Sequence, residues 1–219
     1  HDLRTPLMSI SAAATVLKRQ PDTDRVAVLV DRVLSSSQRM GRMIEDLLDV
    51  TRIRHAGGLA LQLGRADMQS IVQRTLDEVQ TSFPDRNIES VLQGDMAGVW
   101  DSERLCQMAT NIVGNAIHHG APDQPVRVAV DGTQASVLTV AVSNGGTIAP
   151  ELLPHLFDPF RGRDRAPGRH QGLGLGLFIA HQVVRAHGGR IDVHSQDGTT
   201  RFVVELPRVS PAAEKWSNT

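Results

Sequence analysis

The chain has 219 residues, 40% of them hydrophobic, which suffices for one large or two smaller folded domains. With 23 basic and 24 acidic residues the formal net charge is −1, so no overall positive field favours nucleic acid or a membrane surface as a partner. Aromatic residues make up only 3% and Tyr is missing, which argues against a base-stacking nucleic-acid platform.

The single cysteine, Cys106, cannot form an internal disulfide, and no Cys/His group has zinc-site spacing. Both features predict a cytoplasmic location. No apolar run approaches the length of a bilayer span, so we expect no direct membrane contact from this fragment. Because the first residue is His1 and not Met, we expect sequence upstream of it, and membrane attachment of a longer parent protein stays open.

Residues 1–56 are predicted to form a helix, a short turn and a longer helix. Apolar or small residues recur at alternating spacings of four and three, which is a heptad seam. In the first helix the seam comprises Leu3, Leu7, Ile10, Ala14 and Leu17. In the second it comprises Val26, Val30, Val33, Ser37, Met40, Ile44, Leu47 and Thr51. One hairpin cannot enclose such seams, so we expect a homodimer with a four-helix bundle. The alternative is that the seams pack on the rest of the same chain.

The first residue lies on the face of the first helix opposite the seam. His1 precedes Leu3 by two positions, about 200° around a helix, and Thr5 follows one turn later on the same face as His1. We therefore expect both side chains to face solvent. An exposed histidine is usually an ordinary surface residue, so this position alone does not indicate chemistry.

From about Leu59 the pattern changes to one of strands and helices. The predicted strands cover residues 59–63, 87–93, 126–131, 137–143, 190–194 and 201–206, and the predicted helices cover 68–80, 102–119 and 173–187. Strands that adjoin without a helix between them favour a mixed or antiparallel sheet with helices on one face. The pattern divides the chain into domains at 1–56 and 57–209, with a hinge at Gly57-Gly58 and a loose tail at 210–219.

Two polar or glycine-rich segments are candidates for binding phosphate and metal. The alternating glycines of Gly172-Leu-Gly-Leu-Gly-Leu177 precede a helix, whose free N–H groups and dipole favour an anion. The segment is neither a P-loop nor a Rossmann fingerprint. Asn111 and Asn115 lie four apart on one helix face, and an amide oxygen can ligate Mg²⁺. Taken separately, a turn and a polar helix face explain these residues equally well.

Taken in order, the segments resemble the transmitter module of two-component sensor histidine kinases. The similar segments are His1-Asp-Leu-Arg-Thr-Pro-Leu7 (phosphoacceptor box), Asn111-Ile-Val-Gly-Asn-Ala116 (asparagine box), Asn144-Gly-Gly146 (first glycine box), Phe157-Asp-Pro-Phe160 (phenylalanine box), Gly172–Leu177 (second glycine box) and Gly198-Thr-Thr-Arg-Phe202 (glycine-threonine element). The resemblance implies an α+β fold. A dimeric helical hairpin would be joined to the ATP-binding α/β sandwich shared with gyrase and mismatch-repair ATPases.

The resemblance also implies roles at the phosphoacceptor box. Nε2 of His1 would attack the γ-phosphorus of ATP, and the phosphoryl group would pass to an Asp on a response regulator receiver domain. Asp2 would hold Nδ1–H and keep the imidazole neutral. Thr5 matches the position that orients water for dephosphorylating the regulator.

The ATP site implied by the resemblance spans the other boxes. Its members are Asn111, Asn115, His118, Asn144, Gly146, Phe157, Arg161, Arg163, Gly172, Gly174, Gly176, Leu177 and Thr199. Asn115 would be the Mg²⁺ ligand. Asn111 stands where related ATPases carry a Glu that activates water, and an amide cannot act as that base. Arg161 or Arg163 would contact the γ-phosphate.

Three positions depart from the family pattern. Asn144 replaces the Asp that accepts the adenine amino hydrogen, Thr147-Ile148 stand where the first glycine box has its second glycine, and His118 replaces a basic residue. They favour a rival interpretation, a degenerate dimeric scaffold or regulator phosphatase with weak kinase activity. A second rival is a stand-alone ATPase or protein-serine kinase. The histidine kinase interpretation accounts best for all boxes in order.

Overall fold

The computed structural model describes residues 3–19, 23–56, 58–160 and 173–209. Helices α1 (Arg4–Arg19) and α2 (Thr23–Ala56) form an antiparallel hairpin, in agreement with the predicted helices. Ala13 and Met43 are buried, but Leu7, Ile44 and Leu47 of the predicted seam are exposed. A single chain thus leaves much of its seam open, as the dimer hypothesis requires. None of the helices in the described ranges is long and apolar enough to cross a membrane.

The remaining described residues form a sheet domain (58–209) in which three helices cover one face of a five-stranded sheet. The strands are β2 (Ile88–Gly94), β4 (Val126–Gly132), β5 (Val137–Gly145), β6 (Arg190–Gln196) and β7 (Thr199–Pro207), and the helices are α3 (Met68–Ser82), α4 (Ser102–His119) and α5 (Gly176–Ala186). The sheet order is β2-β4-β5-β7-β6; β2 and β4 are parallel and the other pairs antiparallel. The predicted mixed sheet with helices on one face is confirmed.

A small second sheet pairs β1 (Gly64–Asp67) with β3 (Ala97–Trp100), and here the sequence-based prediction was wrong. Residues 59–63, predicted as a strand, form no regular structure. The alternation of leucines there reflects partial burial of a linker, and the backbone N–H of Gln62 bonds to a side chain and not to a strand. Strand β3 and a short 3-10 helix, Pro150–His155, were missed because neither has a long periodic pattern.

Helix α4 begins at a junction of polar contacts around Asp101, which is 6% exposed. The Asp101 carboxylate accepts hydrogen bonds from the N–H of Arg104 (3.1 Å), which caps the helix, and from the N–H of Gln62 (2.8 Å). Its own N–H donates to Nε2 of His187 (3.0 Å), whose Nδ1 bonds to the carbonyl of Val183 (2.8 Å). Burial lowers the pKa of His187, so a neutral imidazole joins α5 to α4.

The hairpin is attached to the sheet domain at the same end of α4. The Asp49 carboxylate on α2 is 3% exposed and accepts hydrogen bonds from Arg104 (2.6 Å) and from the Gln107 amide (2.9 Å). Val50, the next residue, belongs to the hydrophobic core of the sheet domain. One turn of α2 therefore provides both an apolar and a charged contact across the two parts of the chain.

Asp49→Ala should lower the free energy of unfolding by about 2–3 kcal/mol, because it leaves the partly buried Arg104 guanidinium without its carboxylate. The measurement is denaturant unfolding of the whole chain. Asp31→Ala, at an exposed position of the same helix, is the matched control and should change stability by less than about 0.5 kcal/mol. Equal losses in both variants would contradict a specific role for the Asp49–Arg104 pair.

Candidate nucleotide-binding site

A cleft of about 1740 Å³ lies between the hairpin and the sheet domain. Residues of α2 between Ser35 and Arg52 line one side, and residues of α4 between Glu103 and His119 line the other. The glycine-rich segment Leu173–Leu177 and the end of β5 complete the wall. Of the sequence-predicted site, the cleft brings together Asn111, Asn115, His118, Asn144, Gly146, Gly174, Gly176 and Leu177.

Two amides project into this cleft from α4. Asn111 and Asn115 are both half-buried and lie one turn apart. Gly176 lies so close to Asn111 that a Cβ on it would stand 3.0 Å from the Asn111 Oδ1. The Nδ2 of Asn111 is buried and has no hydrogen-bond partner. A buried amide donor without a partner costs free energy, so it favours a ligand that supplies an acceptor.

Asn144 lies at the end of β5 and is 6% exposed. Its Nδ2 donates a hydrogen bond to the carbonyl of Gly145 (2.9 Å), which leaves Oδ1 as the acceptor available to a ligand. Gly146 follows with φ +110°, a conformation that favours glycine, and its N–H donates to the carbonyl of Gly198 (2.7 Å). The turn therefore fixes the amide in the cleft wall.

The threonine that lines the cleft is Thr200, the neighbour of the predicted Thr199. Thr199 is exposed and does not line the cleft, whereas Thr200 is 3% exposed and does. Side chains alternate along β7, so only one of two adjacent threonines can point toward Asn144, with which Thr200 is paired across the strands. The Thr200 hydroxyl donates to the carbonyl of Gly146 (2.9 Å). The alternation of buried residues from Phe202 to Leu206 is the signal that would have identified Thr200.

The second glycine-rich turn ends where α5 begins. Gly174 has φ +69°, which delays the helix start to Gly176 from the predicted 173. The Gly174 carbonyl accepts a hydrogen bond from the N–H of Phe160 (3.1 Å). Phe157 is not in the cleft wall; its ring stacks on His181 at 5.0 Å, and burial together with Arg185 lowers the pKa of that histidine.

Of the remaining predicted residues, His118 lines the cleft at its margin and the others lie outside its wall or outside the described residues. His118 lies at the end of α4, where its ring meets the edge of Phe83 at 5.1 Å. Thr5 is exposed in the first turn of α1. His1, Asp2, Arg161, Arg163 and Gly172 lie outside the described residues. No three His, Cys, Asp or Glu side chains in the described ranges cluster as a metal site.

Acidic side chains of α2 concentrate at the closed end of the cleft. Burial raises the pKa of Asp46 to about 6, with further contributions from Asp49 and Glu45. The Asp46 carboxylate is thus destabilised in its charged form at neutral pH. A phosphate group beside Asp46 would be disfavoured, while Arg52 and Arg104 balance the charge of Asp49.

Two family models match the chain in consecutive segments. Residues 1–56 match the His Kinase A (phospho-acceptor) domain, and residues 100–210 match the histidine kinase-, DNA gyrase B- and HSP90-like ATPase family. The chain is 34% identical over 208 residues to a bacteriophytochrome of Pseudomonas aeruginosa, and 33% identical over 210 residues to the probable sensor histidine kinase TcrY of Mycobacterium tuberculosis. Each alignment covers 94% of this chain, but only 28% and 44% of the respective relative, so the chain spans less than half of either.

Solved structures share the fold along the chain. Histidine kinase AdeS of Acinetobacter baumannii superposes with a TM-score of 0.70 at 20% identity, covering 95% of this chain and 98% of that one. Histidine kinase ThkA, solved in complex with the response regulator protein TrrA, superposes with a TM-score of 0.65 at 20% identity, covering 95% and 59%. At these identities the likeness concerns the fold alone.

Asp46→Asn should stabilise the chain in a pH-dependent way. The folded pKa of about 6 exceeds the ordinary value of 3.8, so the charged form is disfavoured by folding. The charged Asp46 carboxylate therefore lowers the free energy of unfolding. This destabilisation is absent below about pH 4, grows between pH 4 and 6 and is complete above pH 7. Allowing for solvent screening, we expect Asn to gain about 1 kcal/mol at pH 8 and nothing at pH 4. Denaturant unfolding at both pH values checks this, and an equal gain at both would contradict it.

Proposed function

The chain belongs to the two-component sensor histidine kinases, and from that premise we propose that it transfers the γ-phosphoryl group of ATP to His1 and then to a response regulator. The observation that carries the proposal is the convergence of Asn111, Asn115, Asn144 and Thr200 on one cleft beside the glycine-rich start of α5. Backbone of this kind can approach phosphate closely, and the amides supply the polar contacts that a nucleotide requires.

The described residues fit Mg²⁺-ATP. The unpartnered Nδ2 of Asn111 needs an acceptor, and phosphate oxygens are acceptors. Asn115, one turn further along α4, offers an amide oxygen of the type that ligates Mg²⁺. Mg²⁺ bound there would neutralise charge on the phosphates. Asn144 Oδ1 would accept the amino hydrogen of adenine, with Thr200 beside it.

Nucleophilic attack is assigned to His1. A neutral imidazole with its Nδ1–H held by the Asp2 carboxylate has a free lone pair on Nε2. Attack on the γ-phosphorus forms the N–P bond and breaks the bond to the bridging oxygen, and ADP leaves. Because the amide of Asn111 cannot accept a proton from water, hydrolysis is disfavoured relative to transfer.

We propose a homodimer and a receiver domain as partners. The exposed seam residues Leu7, Ile44 and Leu47 favour a second copy of the hairpin, since a single hairpin leaves them in water. ThkA, which has the same fold, was solved with the response regulator protein TrrA, and that complex supports a regulator as acceptor. Thr5, exposed at the start of α1, would orient water for dephosphorylating the regulator.

The second candidate function is a dimeric scaffold or regulator phosphatase that binds nucleotide with weak transfer. Asn144 favours it, because an uncharged amide binds the adenine amino group less strongly than a carboxylate does. The environment of Asn144 argues against this second candidate function. Asn144 is buried, and its Nδ2 already has a partner in Gly145. The Asn144 side chain is therefore held in a fixed orientation, as expected of a residue that binds a ligand.

Incubation with γ-labelled ATP and Mg²⁺ should give the chain acid-labile, alkali-stable phosphate, and His1→Gln should abolish it, because the glutamine amide is not a nucleophile at phosphorus. Thr5→Ala, four positions later in the phosphoacceptor box, is the matched control. It should keep the label but dephosphorylate a phosphorylated receiver domain more slowly. Label that survives in His1→Gln would refute His1 as the acceptor.

Asn144→Asp should tighten ATP binding several-fold, about 1 kcal/mol. The carboxylate loses the bond to Gly145, but a charge-assisted bond to adenine is roughly twice as strong as a neutral one. Calorimetric titration at fixed Mg²⁺, in a His1→Gln background that prevents turnover, measures the difference. Equal or weaker binding by the Asp variant would show instead that Asn144 is the better-fitting adenine contact.

A further inference from the structure

The cleft face of α2 carries charges of opposite sign at its two ends. Glu45, Asp46 and Asp49 line the end that is closed by Arg104. Arg39 and Arg42 line the part that lies further toward the start of α2. Arg52 and Arg104 lie beside Asp49 and balance part of the acidic charge, whereas Arg39 and Arg42 attract a polyanion that enters the cleft.

Arg39 has no ion-pair or hydrogen-bond partner among the described residues, whereas Arg42 interacts electrostatically with Asp46, one turn further along α2. The Nε of Arg39 is buried from solvent and has no acceptor. Other arginines at this cleft are paired: Arg104 bonds to Asp49 at 2.6 Å, and Arg74 to Glu103 at 2.7 Å. A buried guanidinium nitrogen without an acceptor costs free energy, so Arg39 favours a ligand that supplies an acceptor.

The two arginines line the same cleft as the two amides. The Asp49–Arg104 pair joins α2 to α4, so positions along both walls of the cleft can be measured from it. Along α2, Arg42 and Arg39 lie about 10 and 15 Å from Asp49, at 1.5 Å per residue. Along α4, Asn111 and Asn115 lie about 10 and 16 Å from Arg104. Both series line one continuous cleft, the arginines from α2 and the amides from α4.

The same arginines are level with the start of α1. The hairpin joins Arg19 to Thr23 through three residues, and its helices run antiparallel. Counting back from this turn sets Arg4, the first residue of α1, at about the level of residue 38 of α2. Arg39 therefore lies at the end of the hairpin from which the chain continues to the phosphoacceptor box.

We propose that Arg39 and Arg42 bind the γ-phosphate of ATP from the hairpin side of the cleft. This deepens the proposed function and rests on it. The two guanidinium groups donate hydrogen bonds to γ-phosphate oxygens as the bond from the bridging oxygen to phosphorus breaks and the N–P bond forms. They exchange no proton, because arginine stays protonated. They would stabilise the charge on the phosphoryl group during transfer, and ADP, which lacks that group, would gain little from them.

The test compares ATP with ADP in the full chain. In a His1→Gln background, the double variant Arg39→Gln/Arg42→Gln should lower the ratio of ATP to ADP affinity at least five-fold, measured by calorimetry with Mg²⁺. With His1 present, it should lower the rate of phosphorylation at saturating ATP about ten-fold or more. Arg32→Gln is the matched control, one heptad before Arg39 on the same helix face but outside the cleft, and should change neither quantity.

Arg39→Lys/Arg42→Lys keeps two charges without the planar fork and should give an intermediate ratio. If the Gln variant does not fold, the Lys variant is used in its place. A wild-type ratio of ATP to ADP affinity in the Lys variant then overturns the proposal. An unchanged ATP to ADP ratio in the Gln variant overturns it too, as does an equal loss for both nucleotides. If the wild-type chain binds ATP in preference to ADP but does not label His1, the proposed function fails while the arginine assignment is still decided by the ratio.

Discussion

The buried N-terminus of α4 is held by polar contacts from three distant parts of the chain. The linker reaches Asp101 through the N–H of Gln62, α5 reaches it through His187, and α2 reaches the same helix turn through Asp49. Asp49, Asp101 and His187 are buried, so each needs its partner. Helix α4 therefore has one possible position relative to the linker, α5 and α2, and the cleft takes its shape from that position.

A helix fixed at one end carries its side chains at fixed distances from that end. Asn111 and Asn115 lie two and three turns beyond Arg104, on the helix that forms one wall of the cleft. Helix α5 approaches the same wall because Gly176 has no Cβ to collide with Asn111. The contact brings the glycine-rich turn against the amides. Packing between two helices thus builds a surface suited to phosphate from residues about 60 positions apart.

The hairpin contributes more than a dimer surface to this arrangement. Its α2 carries an exposed apolar seam and, on the side toward the sheet domain, a charged stripe that forms the second wall of the cleft. The acidic part of the stripe is tied to Arg104, and burial together with Asp49 and Glu45 raises the pKa of Asp46. In the basic part, the buried Nε of Arg39 has no acceptor. One helix thereby serves dimerisation, attachment of the sheet domain and the electrostatics of the cleft.

Much of this could be predicted from the sequence. The heptad spacing predicted both helices of the hairpin, and alternating apolar residues predicted the five strands of the main sheet. Local patterns determine such elements because hydrogen bonding and side-chain periodicity act over a few residues. The order of the boxes indicated the family, and eight of the thirteen predicted ATP-contacting residues line one cleft.

Only the tertiary structure decided which partners meet across the chain. Nothing in the local pattern near Gln62 indicates that its N–H is bound by Asp101, so a linker was mistaken for a strand. Thr200, and not Thr199, faces Asn144 because the register of β7 against β5 sets the inward side. The pairing of Asp49 with Arg104, which leaves Arg39 unpaired in the same cleft, depends on how two domains pack. Periodicity cannot encode such contacts, because they join residues that are far apart in sequence and meet only after folding.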